Sequence, residues 1–266
     1  MEYLKFILYG LIQGLTEFIP VSSTAHLKVI SLFLGIEDPG PSLSATIQLG
    51  SVLAIAWYFR NDIFNFRSQS SKNFLEYLLH ERLLRSILIG TIPIVLLGGS
   101  IKLFIPYFFD NILRSNLSIA LVSFLMAFFM YFADSSKRGS INIKNHNYSH
   151  SFLIGFFQAF AIFPGVSRSG ITISSALISG WERSDAAKFS FLLGMPAISL
   201  AAIVEFIFSF NEFFSIGFLP LFVGLITTFL SSLLAIDFLL SYFSSNGLKI
   251  FIIYRVIFGV VILLNL

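Results

Sequence analysis

Six predominantly apolar stretches recur along the chain, at 44–59, 86–105, 117–133, 189–204, 218–236 and 250–264. Each reaches or nearly reaches the roughly 20 residues that a helix needs to cross a hydrocarbon core of about 30 Å. Two further stretches, 6–34 and 152–180, are apolar but broken in the middle. The first break reads Pro20-Val21-Ser22-Ser23-Thr24 and the second Pro164-Gly165-Val166-Ser167-Arg168-Ser169-Gly170. The flanks of each break are too short to span. The pattern therefore predicts two re-entrant helical hairpins, because irregular backbone at membrane depth is tolerated only inside protein or along a wet cavity.

The chain also repeats itself. Gly10 and Gln13 precede the Pro20 turn as Gly155 and Gln158 precede the Pro164 turn, and Gly50 and Gly194 each follow their proline by the same interval. Each half, about 1–135 and 150–266, then holds one hairpin and three spans. An odd number of crossings makes the second half enter from the opposite face, an inverted-topology repeat. The predicted fold is an all-α polytopic membrane protein, a single integral membrane domain over 1–266.

Composition excludes the soluble alternatives. Only 12 % of the 266 residues are charged against 56 % hydrophobic, with 33 Phe. An ordinary soluble domain carries about 25 % charge and cannot hide so much apolar surface. A net charge of +3 gives no footprint for nucleic acid. The absence of cysteine removes disulfides, thiolate metal sites and thiol nucleophiles. The N-terminus superficially resembles a signal peptide, but Glu2, Gln13 and Glu17 spoil its basic and apolar regions.

Charge in the connections sets orientation. Arg60, Arg67, Lys72, Arg82, Arg85, Lys137, Arg138, Lys144, Arg183, Lys188 and Lys249 fall on one side, whereas 35–43, 106–116 and 208–217 hold only Arg114. The positive-inside rule places both termini outside, with the first hairpin entering from the outer face and the second from the cytoplasm.

Polar groups inside the membrane are costly, which makes them functional candidates. Gln13 and Glu17 share a helix face and lead into the first turn. Ser22, Ser23 and Thr24 then open a half-helix, with His26 one turn on. Glu17, Ser23 and His26 are expected to crowd one small volume, an inventory for nucleophilic hydrolysis. The second break supplies Gly165, Ser167, Arg168, Ser169 and Thr172 at a helix N-terminus, which favours anions, with a guanidinium suited to phosphate oxygens. Each residue alone has a plainer reading: a serine bonded back to its own helix, an interior histidine, a proline kink. Their coincidence at two equivalent repeat positions points to a site for a diphosphate. Lys102, Glu205, Asp237 and Arg255 read as interfacial or packing polar groups, and the phenylalanines as mainly lipid-facing.

The stretch from Gln13 through Glu17, Pro20, Ser22, Ser23 and Thr24 to His26 resembles the first signature of the bacterial undecaprenyl-diphosphatase (bacitracin-resistance) family, (E/Q)xxxE followed by PVSSTxH. Pro164 to Thr172 resembles the second, PGxSRSxxT. The stretches Ile47–Gly50 and Phe189–Leu193 are also similar to family sequence, so the resemblance covers essentially the whole chain. It implies a phosphatase of the bacterial plasma (inner) membrane that converts undecaprenyl diphosphate to the monophosphate at the periplasmic or extracellular face. That would recycle the lipid carrier for peptidoglycan and cell-wall synthesis, support cell shape, and confer bacitracin resistance. It also implies a divalent cation, Mg²⁺ or Ca²⁺.

Three positions depart from the family pattern. Gln13 stands at the first acidic position, Ala25 where glycine is usual, and Lys188 where glutamate is common. The expected catalytic residues are Glu17, Ser23, His26 and Arg168. Gln13, Ser22, Thr24, Gly165, Ser167, Ser169 and Thr172 are expected to bind substrate, and Glu17 with Gln13 could ligate the cation. Either Ser23 or His26 could be the nucleophile, Ser23 being preferred. A secondary transporter or lipid-carrier flippase with an anion site at the hairpin tips is the alternative reading.

Overall fold

The computed structural model describes residues 2–61, 81–104, 113–136, 139–209 and 216–265. Arg67, Lys72, Lys137 and Arg138, named above for orientation, lie outside the described residues, as does the side chain of Lys102. Among the described residues the fold is all-helical, with eleven α-helices and one isolated bridge between Ile141 and Trp181. In chain order the helices are α1 (Glu2–Phe18), α2 (Ser23–Leu34), α3 (Gly40–Ile47), α4 (Leu49–Tyr58), α5 (Arg82–Phe104), α6 (Asn116–Asp134), α7 (Tyr148–Ala159), α8 (Arg168–Ile178), α9 (Arg183–Phe208), α10 (Phe218–Phe243) and α11 (Lys249–Leu264).

Local sequence explains where the two breaks fall. A residue before proline is pushed out of helical backbone. Accordingly α1 ends at Phe18, ahead of Ile19 and Pro20. After α7 a short 3₁₀ turn, Phe160–Ile162, leads into extended Phe163 and then Pro164. The helices resume at Ser23 and Arg168, each preceded by a serine with left-handed φ: Ser22 at 77° and Ser167 at 68°. They are the only non-glycine residues with positive φ among the described residues. Such backbone costs of order 1–3 kcal/mol per residue and persists only where the surroundings enforce it.

Among the described residues four helices are long and apolar enough to cross a membrane: Arg82–Ile101, Asn116–Asp134, Arg183–Phe208 and Phe218–Phe243. The other two predicted spans have a different form. The stretch 44–59 is two short helices, α3 and α4, broken at Gln48, and 250–264 lies within α11, of 16 residues. The break at Gln48 escapes an apolar-window reading because the residues on both sides are equally apolar. Large apolar side chains face outward at three- and four-residue spacing, as with Leu121, Leu125 (66 % exposed), Phe128 (70 %) and Phe132 along α6. Only a lipid environment makes such a surface stable.

The first helix of each half packs on a long helix of the other half. α1 lies along α10, and α7 lies along α5. Small residues permit the close approach. A Cβ at Gly14 would sit 2.0 Å from Ser231 Oγ, and one at Gly155 would sit 2.1 Å from the Gly90 carbonyl oxygen. α6 pairs with α11, and α8 wedges between α6 and α9. The largest apolar cluster, including Phe18, Val21, Val166, Ile171, Phe191 and Leu193, surrounds both breaks. Phe18 meets Phe191 edge to face at 5.0 Å. That packing carries the ends of α1 and α8 to one place.

Candidate active site

Glu17, one residue before the end of α1, is the hub of the site. Its Oε2 accepts hydrogen bonds from Gln13 Nε2 (2.6 Å), Ser23 Oγ (2.8 Å) and Gln48 Nε2 (3.2 Å). Its Oε1 accepts from Arg168 Nη2 at 3.1 Å, an ion pair that crosses from the first break to the second. The two side chains are 5 % and 9 % exposed, so the pair is shielded from water. A buried charge is tolerated only when paired and hydrogen-bonded in this way.

Arg168 has each end of its guanidinium fixed. Nη1 donates to the Ser190 carbonyl (3.1 Å) and Nη2 to Glu17, while Nε is buried without a partner. Ser190 also meets Thr172, hydroxyl to hydroxyl at 2.6 Å. The guanidinium fits because residue 194 has no side chain: a Cβ on Gly194 would stand 1.9 Å from Nη1 and 2.4 Å from Cζ. Gly194→Ala should therefore expel the guanidinium from its cradle. Because alanine favours a helix over glycine by about 1 kcal/mol, α9 should remain folded. The expected result is a fall of at least about 100-fold in kcat/KM for phosphate release, with helix content by circular dichroism unchanged.

The helix starts at the two breaks differ. Ser167 caps α8 by accepting from the Gly170 N–H at 3.2 Å. Ser22 occupies the same position before α2 but makes no capping bond; its Oγ instead meets Thr24 Oγ1 at 3.3 Å. The first N–H groups of α2 therefore have no side-chain cap, a state that favours an anion there. Ser169 Oγ donates to the Ile19 carbonyl at 3.2 Å and ties the second break to the first. Thr172 Oγ1 donates to the Arg168 carbonyl at 2.7 Å, so it braces Arg168.

His26 does not join Glu17 and Ser23, contrary to the expected crowding of the three. Its Nδ1 lies 2.7 Å from the Ser22 carbonyl and its Nε2 2.6 Å from Tyr254 Oη on α11. The i, i+3 and i, i+4 spacings do put it on the face of α2 near Ser22 and Ser23. Its ring nitrogens, however, turn towards the backbone and the last helix.

From sequence Arg255 is an interfacial or packing polar group. The structure buries it completely beneath both breaks. It donates from Nη2 to the Gly165 carbonyl (2.5 Å), from Nη1 to the Pro20 carbonyl (3.5 Å) and from Nε to the Ser123 carbonyl (3.4 Å). Gly165, with φ +94° and its carbonyl on Arg255, serves the turn. Arg168 and Arg255 against the single carboxylate of Glu17 leave an excess of positive charge at the breaks, which favours an anion.

Gln48, Ser190, Gly194, Tyr254 and Arg255 escape a motif reading. Gln48 and Ser190 do fall in the stretches that resemble family sequence, and Gly194 is the repeat mate of Gly50; these are the only prior signals. The second break lacks a carboxylate: Gln158 matches Gln13, but Ile162 stands four residues later. Two crevices, of about 480 and 500 Å³, lie elsewhere, around Trp181, Arg183 and Tyr242, and none of these site residues lines them.

Among the described residues no three His, Asp or Glu side chains cluster as a metal cage. Gln13 Oε1, however, is buried without a partner beside Glu17. One amide oxygen and one carboxylate fit a hard cation that takes its remaining ligands from a diphosphate.

Among the described residues the protein is all-helical, with helices apolar enough to cross a membrane, and it buries a carboxylate, a hydroxyl and a guanidinium at two facing helix breaks, the groups that binding an anion calls for. Residues 6–261 match the family described as Bacitracin resistance protein BacA, and the chain belongs to that family. It is 91 % identical to the undecaprenyl-diphosphatase of Prochlorococcus marinus (strain MIT 9301), over 100 % of both chains. It is 79 % identical to that of strain MIT 9312, covering 100 % of this chain and 99 % of the relative. Identity to that of strain MIT 9313 is 46 %, over 96 % of this chain and 86 % of the relative.

Proposed function

We infer that this protein is an undecaprenyl-diphosphate phosphatase: it hydrolyses undecaprenyl diphosphate to undecaprenyl phosphate and inorganic phosphate. The carrier so regenerated serves peptidoglycan synthesis, and the activity confers bacitracin resistance by removing the diphosphate. Family membership and near-identity to enzymes of that name support this reading. The observation that carries it in the structure is Ser23 Oγ donating to Glu17 Oε2 at 2.8 Å, with Arg168 bonded to the other oxygen of the same carboxylate. That is a nucleophile, its base and a phosphate-binding cation on one carboxylate.

Ser23 Oγ attacks the terminal phosphorus and its proton passes to Glu17. The bond to the bridging oxygen breaks, and undecaprenyl phosphate departs with that oxygen. Water then hydrolyses the phosphoserine and releases phosphate. Arg168, through Nε and its charge, and the uncapped N–H groups of α2 stabilise the negative charge that builds on the transferring group. Gln13 and Glu17 would hold a Mg²⁺ or Ca²⁺ ion, which when bound neutralises diphosphate charge. The alternative nucleophile, His26, has both ring nitrogens engaged elsewhere, which favours Ser23.

The membrane arrangement belongs to the same proposal. The two broken segments are re-entrant hairpins of an inverted repeat, 1–135 and 150–266 being its halves in a single domain. The reciprocal packing of α1 on α10 and α7 on α5, and the matched backbone of Ser22 and Ser167, support this. Six spans, two of them interrupted or short, leave both termini outside. The active site opens to the periplasmic face of the bacterial inner membrane. Detergent-purified protein should release phosphate from undecaprenyl diphosphate. In Ser23→Ala, release and the trapped phosphoenzyme should both vanish; turnover surviving with phosphate on His26 would overturn the serine mechanism. A transporter would release no phosphate at all.

A further inference from the structure

The two ring nitrogens of His26 have separate, fixed partners. Nδ1 faces the Ser22 carbonyl oxygen at 2.7 Å. A carbonyl can only accept, so Nδ1 carries the proton. The neutral ring then presents a lone pair at Nε2, and the Tyr254 hydroxyl, 2.6 Å away, donates to it. The ring is also held in its plane. It lies flat on Phe258, with centroids 4.3 Å apart and planes within 3°, and stacks near Tyr254 at 5.6 Å and 15°. Tyr254 and Phe258 are four apart on α11 and so present one face to α2. His26 is 3 % exposed. Rotating the ring would break both hydrogen bonds and one stacked pair together.

We propose that Tyr254 is a positioning residue for the phosphatase reaction, its hydroxyl holding His26 in the Nδ1-protonated tautomer with Nε2 committed as an acceptor. This rests on the function proposed above. Tyr254 precedes Arg255, which grips the carbonyls of both breaks, so one turn of α11 sets the histidine and the two backbone turns against each other. With Nε2 held by Tyr254, the imidazole takes part in catalysis only through proton exchange along that bond. A proton passed from Tyr254 Oη to Nε2 leaves an imidazolium beside a phenolate, and its return restores the neutral pair, with no heavy atom moving.

Two measurements test the assignment. Tyr254→Phe keeps the ring and its stacking and removes only the donor. It should lower kcat about 10- to 100-fold with KM nearly unchanged, the signature of a group that acts in the transition state rather than in substrate binding. The second measurement needs no activity. With ¹⁵N-labelled histidine, His26 should show a protonated Nδ1 and a hydrogen-bonded, unprotonated Nε2. Tyr254→Phe should shift the Nε2 resonance towards that of an acceptor with no donor. Putting 3-fluorotyrosine in place of Tyr254 keeps the hydroxyl, strengthens its donation and should shift Nε2 in the opposite sense. A kcat within twofold of wild type in Tyr254→Phe overturns the role in catalysis. An Nε2 resonance indifferent to both changes overturns the hydrogen bond itself. Failure of the wild-type protein to release phosphate would instead count against the proposed function, and the imidazole resonances would still report on the bond.

Discussion

Arg168→Lys is expected to lower kcat for phosphate release about 10³-fold while leaving the protein folded. The guanidinium makes two contacts that diverge, to the Ser190 carbonyl and to Glu17, and keeps Nε buried and free. A lysine ammonium is a point charge with no planar fork. It can satisfy Glu17 or reach the phosphate, but it cannot hold the Ser190 carbonyl and leave a third donor in place. Retaining a positive charge avoids an uncompensated buried carboxylate, which would otherwise cost roughly 3–5 kcal/mol and confound the result. The measurement is single-turnover phosphate release beside a melting curve in detergent. A loss below about tenfold would mean that charge alone suffices and that the fork has no role.

Glu17→Gln should be nearly as damaging, about 10²- to 10⁴-fold in kcat. The change removes the base that takes the Ser23 proton. It also reverses a local pattern, because Glu17 Oε2 accepts from Gln13, Ser23 and Gln48 together. An amide nitrogen in that position would face two other amide nitrogens, and an amide oxygen there would turn its nitrogen against Arg168. Either orientation leaves donors opposed, so a moderate loss of stability should accompany the loss of rate. Phosphoenzyme should fail to accumulate at any pH at which the protein stays folded. Accumulation at the wild-type rate would show that Ser23 is activated by another group.

Glu17 and Arg168 are legible in the sequence because charge is so scarce inside the apolar segments. Ser23 follows from its place after the first proline turn. The two breaks are legible too, since proline dictates the backbone before it. The rest depends on contacts that no local pattern encodes. Tyr254 and Arg255 reach the site from the far end of the chain, and an aromatic beside an arginine near a helix end looks interfacial from sequence. Gly194 cradles Arg168 from another helix, and a glycine in a membrane helix is too ordinary to signal that. Gln48 joins the site only through its side chain, which turns to Glu17 from between two short helices. The ring direction of His26 is hidden for a related reason: helical spacing fixes its face but leaves the direction of its ring nitrogens to whatever lies opposite.

The reciprocal packing of the halves bears on how the chain is made. α1 rests on α10, and the turn after α1 is gripped by Arg255, so α1 receives these partners only after more than 190 further residues have been made. A nascent chain that has inserted α1 to α9 already carries Glu17, Ser23 and Arg168 and the bonds between the two breaks, but it lacks the helix that α1 lies along and the arginine that clamps both turns. Until α10 and α11 arrive, Gly10 and Gly14 have no partner helix and the carbonyls of Pro20 and Gly165 lack Arg255. The last clamp on the site therefore forms late, and a chain truncated before residue 255 should keep the Glu17–Arg168 pair but leave the two turns unclamped.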